Sequence, residues 1–437
     1  MAKRNPLSES EKRLNNLARL FESKRAKGES VFMDVDDFAD LCSWYDNNYN
    51  AEKGDEVMRY ALDVYPESSM LHIEQAYRLL DKGDIEGAKL LTQEIEDDLT
   101  GDLQILKARL LIEQGHYEEA DDLLNSQPGD LLDPILVANM YIDTHFSNKA
   151  LDWVQQHGKG LEDEEEYLCV LVNGYCYTKR YQEAIQICEK LIDRDPFSAH
   201  YWLTLGRCQL ALGEYHHALD ACDFAVTNDE DLGEAYLTRC NLYALLGNEE
   251  RAKKDLQQAI RLKAVVPGDM NELDLGLLLE EGRCEEALKL MKFYLKYMDL
   301  TEEQVLNIYY RMGMCYTDIG WYQAAHDCFN KVLDASPQDA DTMVKKALVY
   351  LEELKPDEAQ KILLLAAKAA PEWKNLYKMI AVISLYMGHY DDFRHYGELS
   401  GDPLPEEKIK EVIRLIEEGK SYSIDDLKDI MKDDSSK

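Results

Sequence analysis

Four polar side chains recur at one position of a 34-residue spacing and could hold the backbone of another polypeptide. At that interval the chain places Asn139, Asn173, Arg207 and Asn241. Asparagine is a mediocre helix former, so its recurrence suggests a reason other than helix formation. A carboxamide can donate to a carbonyl and accept from an N–H at once. The row therefore predicts a binding surface for an extended peptide, with non-functional exposed polar residues as the alternative interpretation.

The side chains beside this row indicate the charge of a ligand. Tyr177 offers a flat contact surface, although it could equally pack between helices. Carboxylates lie near the row at Asp143, Glu166 and Glu234. Negative charge favours a bound segment that carries Lys or Arg.

The sequence signatures of catalysis and of cofactor or metal binding are missing. There is no G-x-G-x-x-G and no G-x-x-x-x-G-K-[ST], so no phosphate-binding loop is predicted. H-E-x-x-H and C-x-x-C are also missing, and the adjacent His216 and His217 would point to different faces of a helix. The chain has 85 Asp and Glu, which makes any single carboxylate pair uninformative. We therefore predict a protein that is not an enzyme, with no cofactor and no metal.

The elements that would position the polar row are repeated helix pairs. Residues 165–266 contain the same pattern three times in one register, with no insertion. Small residues recur at the eighth and twentieth positions, for example Ala76 and Ala88 in one unit and Gly206 and Ala218 in another. Helix propensity does not explain these columns, because Leu, Glu or Lys propagate a helix nearly as well as Ala. Small side chains allow two antiparallel helices to cross closely, and a fixed period of this length predicts stacked units.

The typed positions of these units resemble tetratricopeptide repeats. The matching residues, at the family's spacing, are Asp195, Pro196, Trp202, Leu205, Gly206, Gly213, Tyr215 and Ala218. The resemblance implies an all-α, right-handed α-solenoid of about eleven helix-pair repeats with a capping helix at both ends. It also implies that the first helix of each repeat lines a concave groove, and that the ninth and thirteenth positions face into it. Asn139, Asp143, Asn173, Tyr177, Arg207 and Asn241 are then the predicted peptide-binding residues.

The same resemblance argues against one type of ligand. Chaperone-binding members hold a C-terminal carboxylate with Lys, Asn and Arg side chains from three repeats. The corresponding positions here include Cys169, Thr204 and Glu234. Because the cations are missing, capture of a chaperone tail is not predicted.

Breaks in the repeat pattern predict five segments. They are a basic N-terminal helix and linker (1–34), repeats 1–7 (35–266), an irregular repeat 8 and joint (267–305), repeats 9–11 (306–400), and a C-terminal capping helix with a polar tail (401–437). Thr301 and Gln304 are expected to form a capping box that opens repeat 9. The joint could be a hinge or a drifted repeat, and the sequence does not distinguish the two.

The N-terminal segment differs in charge from the rest of the chain. Residues 1–28 contain eight Lys and Arg and three Glu, a balance of +5, whereas the whole chain carries −36. One interpretation is a helix that covers the open edge of the first repeat. The other is a basic arm that docks into the acidic groove of its own or a neighbouring copy, which would gate binding or cause self-association.

The net charge and the apolar pattern limit the partners. A charge of −36 disfavours nucleic acid and anionic membranes, because binding to both depends on neutralising phosphates. We expect a neutral or basic protein or peptide partner. The N-terminus lacks the apolar core of a secretory signal, and the ten cysteines form no disulfide framework. These features predict a cytoplasmic protein.

The function predicted from the sequence is a non-catalytic adaptor or scaffold that binds a polypeptide along its groove. The alternatives are a regulatory sensor gated by the basic arm, and a catalytic or small-ligand protein with its site in the joint at 265–305. A triple alanine variant at Asn139, Asn173 and Asn241 should weaken peptide binding. Its stability is expected to change by no more than about 1 kcal/mol, as is usual for surface residues.

Overall fold

The computed structural model describes residues 9–47, 50–95, 101–128, 131–264 and 272–401, and all regular structure in these ranges is helical. The helices are α1 Glu9–Ala26, α2 Val35–Asn47, α3 Ala51–Val64, α4 Ser69–Asp81, α5 Ile85–Glu94, α6 Asp102–Glu113, α7 Tyr117–Asn125, α8 Pro134–Asp143, α9 Ser147–His157, α10 Glu165–Tyr177, α11 Tyr181–Arg194, α12 Ala199–Ala211, α13 Tyr215–Asn228, α14 Gly233–Leu245, α15 Glu249–Arg261, α16 Glu272–Glu280, α17 Cys284–Tyr297, α18 Glu302–Asp318, α19 Tyr322–Ala335, α20 Ala340–Glu352, α21 Pro356–Ala369, α22 Lys374–Tyr386 and α23 Tyr390–Ser400. The prediction of an all-α repeat solenoid is confirmed.

After α1, the described helices pair in sequence order from α2–α3 to α22–α23, and the small residues lie where the two helices of a pair meet. Cys42, at an eighth position, donates its thiol to the carbonyl of Gly54 at the twentieth position, 3.5 Å away. In another pair, a Cβ on Gly206 would lie 3.2 Å from the carbonyl oxygen of Ala218. The sequence columns are therefore explained by close helix crossing.

The chain divides into two compact units, Met1–Glu230 and Asp231–Lys437, which we call unit one and unit two. In unit one, the first helices of successive repeats contact one another: α2 with α4, α4 with α6, α6 with α8, and α8 with α10. We call the surface formed by α4, α6, α8, α10 and α12 the first-helix face. In unit two, α14 contacts both α15 and α17, and α18 contacts α20.

Helix α1 packs on the first repeat. Ala18 and Phe21 are buried in the same core as residues of α2 and α3, and the guanidinium of Arg25 lies 4.9 Å from the ring centre of Tyr60. Arg13 pairs with Asp37, one of two α2 carboxylates that it contacts. This packing is that of a cap on the open edge of repeat 1, so it favours the capping interpretation over docking of the arm in the groove.

Local features of the repeats follow the sequence in several places. Pro134 occupies the first turn of α8, where its missing N–H leaves no hydrogen bond unmade. Thr301 and Gln304 form the expected reciprocal capping box before α18. His145 stands at a turn position that most of the described repeats fill with Gly, and it adopts a left-handed φ of 66°. None of the helices within the described ranges is long and apolar enough to cross a bilayer.

Some predictions lie outside the described residues. They are the C-terminal capping helix and tail from residue 402 onward, the helix-ending sequence at 265–268, and the start of the chain through residue 8. The boundaries of the five predicted segments therefore remain predictions.

Candidate interaction surface

The predicted site residues of unit one lie on the first-helix face with different exposures. Asn173 and Tyr177 of α10 are exposed, and the Tyr177 side chain is 64% accessible. Asn139 of α8 and Arg207 of α12 are half-buried. Asp143, one helical turn after Asn139, is exposed at the end of α8. These five side chains are the members of the predicted set that are at least partly exposed on unit one.

The best-connected part of this face is a charge cluster around Arg109 of α6. Its guanidinium donates to Asp81 of α4 at 2.9 Å, and it lies 3.8 Å from a carboxylate oxygen of Asp143 on α8. Glu113 lies 3.9 Å away, and the guanidinium is 5.5 Å from the ring centre of Tyr77. We call these five residues the Arg109 cluster. One cation thus bridges the first helices of three consecutive repeats and faces three carboxylates.

Two carboxyl groups of the first-helix face, Asp143 and Glu74, have raised pKa values. Partial desolvation raises the pKa of the Asp143 carboxyl although the residue is exposed, Arg109 opposes this effect, and Asp81 adds to it. On α4, burial raises the pKa of Glu74, and the Arg78 guanidinium only partly offsets this. Burial, which is the largest cause of both shifts, disfavours the ionised carboxylates. A cation supplied by a ligand would stabilise their ionised forms.

Tyr77 and Arg109 were not predicted as site residues, although the sequence contains a signal for them. Both occupy the same ninth column as Asn139 and Asn173, one in each of the two preceding repeats. The spacing shortens to 32 and 30 residues in that region, so a search at a constant 34-residue interval misses them. Asp81 has no comparable signal, because its importance depends on which side chain of α6 reaches it.

Asn241 is a correction to the predicted peptide-binding row. Its side chain is 0% exposed, its amide donates to Asp274 at 2.8 Å, and its carbonyl oxygen accepts from the Tyr294 hydroxyl at 2.8 Å. The cause is the irregular joint, where α17 packs against α14 and covers the ninth position. Asn241 therefore has a structural role in unit two and is not available to a peptide.

The described part of the joint contains this buried polar group and apolar packing around it. Asp274 is 1% exposed and Tyr294 is 2% exposed, and Leu275 and Leu278 beside them are 0% exposed. Burial raises the pKa of the Tyr294 hydroxyl well above its ordinary value, so that it acts as a neutral donor. No group of three or more metal-ligating side chains occurs in the ranges that the structure describes. Within the described part of the joint, the Asn241 side chain binds both Asp274 and Tyr294.

Two family models identify the repeats. Both are described as tetratricopeptide repeat; one matches residues 171–232, and the other matches residues 233–265 and 306–339. The matched segments coincide with helix pairs of the structure, and the unmatched pairs continue the same pattern. Residues 171–265 and 306–339 of this chain are tetratricopeptide repeats. Repeat arrays of this type present extended surfaces that are used for binding.

Several curated proteins are similar over part of the chain. DnaJ homolog subfamily C member 3 of Gallus gallus is 26% identical over 201 residues, which are 43% of this chain and 39% of that protein. TPR repeat-containing protein YpiA of Bacillus subtilis (strain 168) is 26% identical over 182 residues, 41% of each chain. The chain thus spans about two fifths of the length of these relatives.

Among solved structures, the tetratricopeptide-repeat protein YrrB, described as having an unusual peptide-binding site, is 20% identical. The match covers 43% of this chain and 93% of YrrB, with a TM-score of 0.25.

Proposed function

We propose that this tetratricopeptide-repeat protein is a non-catalytic scaffold that binds an extended, basic polypeptide segment along the first-helix face of unit one. The observation that carries this proposal is the Arg109 cluster, in which one guanidinium is surrounded by the carboxylates of Asp81, Glu113 and Asp143. A Lys or Arg of the ligand would supply the missing positive charge.

The polar side chains further along the face would hold the ligand backbone. Asn139 precedes Asp143 by one turn of α8, and Asn173 is exposed on the neighbouring α10. Each carboxamide can pair with one peptide unit of an extended chain as both donor and acceptor. Tyr177 offers an exposed ring for apolar or cationic side chains. The face would therefore combine charge selection at Asp143 with backbone recognition at the two asparagines.

Peptide binding tests this proposal directly. An arrayed set of labelled twelve-residue peptides, with Lys or Arg at alternate positions, would be compared with peptides carrying Glu instead. Binding of each labelled peptide to the full chain would be measured by fluorescence anisotropy at two salt concentrations. We expect the basic peptides to bind, the Glu peptides not to bind, and affinity to fall as salt rises.

Matched charge variants then locate the binding surface. The double variant Asp81→Asn, Asp143→Asn should weaken binding of the basic peptides about fivefold or more. The control Asp152→Asn, Asp193→Asn removes the same charge from exposed positions on the second helices α9 and α11, and should leave affinity within about twofold. Equal losses in both double variants would show non-specific attraction to an acidic protein. Either that result or an absence of basic-peptide binding would overturn the proposal.

A further inference from the structure

A pair of cysteines in unit one lies in a geometry suited to reversible bonding. The sulfur atoms of Cys176 on α10 and Cys208 on α12 are 3.4 Å apart. The two residues are 32 positions apart in sequence and belong to the first helices of adjacent repeats. A disulfide has a sulfur–sulfur distance of about 2.05 Å. Closure therefore requires the two sulfur atoms to approach by about 1.4 Å.

We propose that Cys176 and Cys208 are a thiol–disulfide site that is oxidised by a low-molecular-weight disulfide and links the first helices of two repeats. The proposal does not depend on the peptide-binding function above. It assigns a covalent modification to a place in the fold where the thiols already contact each other.

The two thiols have different access to an oxidant. Cys176 is half-buried, whereas Cys208 is 2% exposed. The thiolate of Cys176 attacks one sulfur of the small disulfide, forms a mixed disulfide and releases one small thiol. The thiolate of Cys208 then attacks the sulfur of Cys176 and releases the second small thiol. In total, two protein thiols are oxidised to one disulfide and one small disulfide is reduced to two thiols.

The surroundings set the rate of this reaction. The hydrogen bond with Cys208, followed by burial, raises the pKa of the Cys176 thiol above its ordinary value. For Cys208, the contact with Cys176 lowers the pKa, but the contact with Cys188 and burial outweigh it and give a value of about 12. The guanidinium of Arg207 favours both thiolates. Oxidation should therefore be slow at neutral pH and accelerate by up to about tenfold per pH unit, because the reacting species is the thiolate.

Cys188 of α11 is the competing partner, because its thiol also contacts Cys208. Cys188 is 1% exposed and has less access to solvent than Cys176. Since exchange begins at the thiol that the oxidant can reach, the expected product is the Cys176–Cys208 bond. Cys188 therefore provides a close control for the assignment.

The experiment oxidises the folded full chain with oxidised glutathione, blocks remaining thiols with an alkylating agent, and maps disulfides by mass spectrometry. Trypsin cleaves after Lys179, Lys190 and Arg207, so the three thiols fall on three different peptides. We expect a linked peptide pair joining Cys176 to Cys208 in the natural protein and in Cys188→Ser. The link should be missing in both Cys176→Ser and Cys208→Ser, and should disappear on treatment with dithiothreitol.

Thermal unfolding gives a second readout that does not require a substitution at the buried Cys208. The bond closes a long loop, so it should raise the unfolding midpoint of unit one by about 5 °C in the natural protein, and the shift should reverse on reduction. The partly exposed substitution Cys176→Ser should show no oxidation-dependent shift. A link between Cys208 and Cys188, or continued alkylation of Cys176 after exposure to oxidised glutathione at raised pH, would overturn the proposal.

Discussion

Replacing Asn241 with alanine should destabilise the start of unit two, although an asparagine in this column looks like a surface residue. The substitution removes the acceptor of the Tyr294 hydroxyl and a donor to the Asp274 carboxylate, both at 2.8 Å and both buried. Leaving the buried Tyr294 hydroxyl unpaired costs about 1–3 kcal/mol, and removing one donor from the buried Asp274 carboxylate costs a similar amount. The expected total is about 3–5 kcal/mol.

Hydrogen exchange is the appropriate measurement, because a repeat array does not unfold as a single two-state unit. The loss should appear in amides of α14, Gly233–Leu245, and of α17, Cys284–Tyr297. A local loss of 3–5 kcal/mol corresponds to protection factors lower by about 10²–10⁴-fold. Helices of unit one should keep their protection.

Two further variants separate this network from a general effect of alanine. Asn173→Ala, in the same column but exposed, should change stability by no more than about 0.5 kcal/mol. Tyr294→Phe should cost about 1–3 kcal/mol, and adding it to Asn241→Ala should cost little more, because the two residues act through one hydrogen bond. If Asn241→Ala behaves like Asn173→Ala, the buried network does not exist as described. Additive losses in the double variant would also refute the reasoning.

Two other substitutions test packing and pH dependence. Gly313→Ala would place a Cβ 2.6 Å from the buried ring of Phe329 and should destabilise α18–α19 by about 1–2 kcal/mol. The control Gly276→Ala has nothing within 4 Å of its Cβ, so it should be neutral or stabilising in thermal unfolding. Arg78→Met removes a buried guanidinium that pairs with Asp55 at 2.8 Å, and should lower the local free energy of opening measured by hydrogen exchange by roughly 2–3 kcal/mol. Burial opposes ionisation of Asp55, but its cationic partners Lys82 and Arg78 leave its pKa below the ordinary value. Its stabilising contribution is therefore full above the unfolded pKa and is lost as pH falls through the folded value. The acid sensitivity of this pair should be smaller in Arg78→Met, and an unchanged pH profile would contradict the assignment.

Because Asn241 is buried, the alanine variant that tests peptide binding should omit it. A triple alanine variant that includes it would combine a binding effect with local unfolding, since its side chain is fully buried. The double variant Asn139→Ala, Asn173→Ala changes only the first-helix face of unit one, so it tests peptide binding without disturbing the buried network. Its stability should stay within about 1 kcal/mol.

The sequence by itself determined the helix pairs and their number. The small residues at positions such as Cys42 and Gly54 are twelve residues apart, and their contact depends only on two neighbouring helices and a short turn. The capping box at Thr301 and Gln304 is more local still. Such features are encoded within one hairpin, where the helical period fixes which residues meet.

Only the tertiary structure decided which polar residues of the ninth column face solvent. Asn173 and Asn241 have the same residue type and the same position in their repeats, yet one is exposed and the other is fully buried. The difference arises because Tyr294, 53 residues after Asn241, reaches it through the irregular packing of α17 on α14. Arg109 gains its role in the same way, from carboxylates on the helices before and after its own. Contacts between repeats depend on the rotation from one repeat to the next, and a residue pattern read one repeat at a time does not contain that rotation.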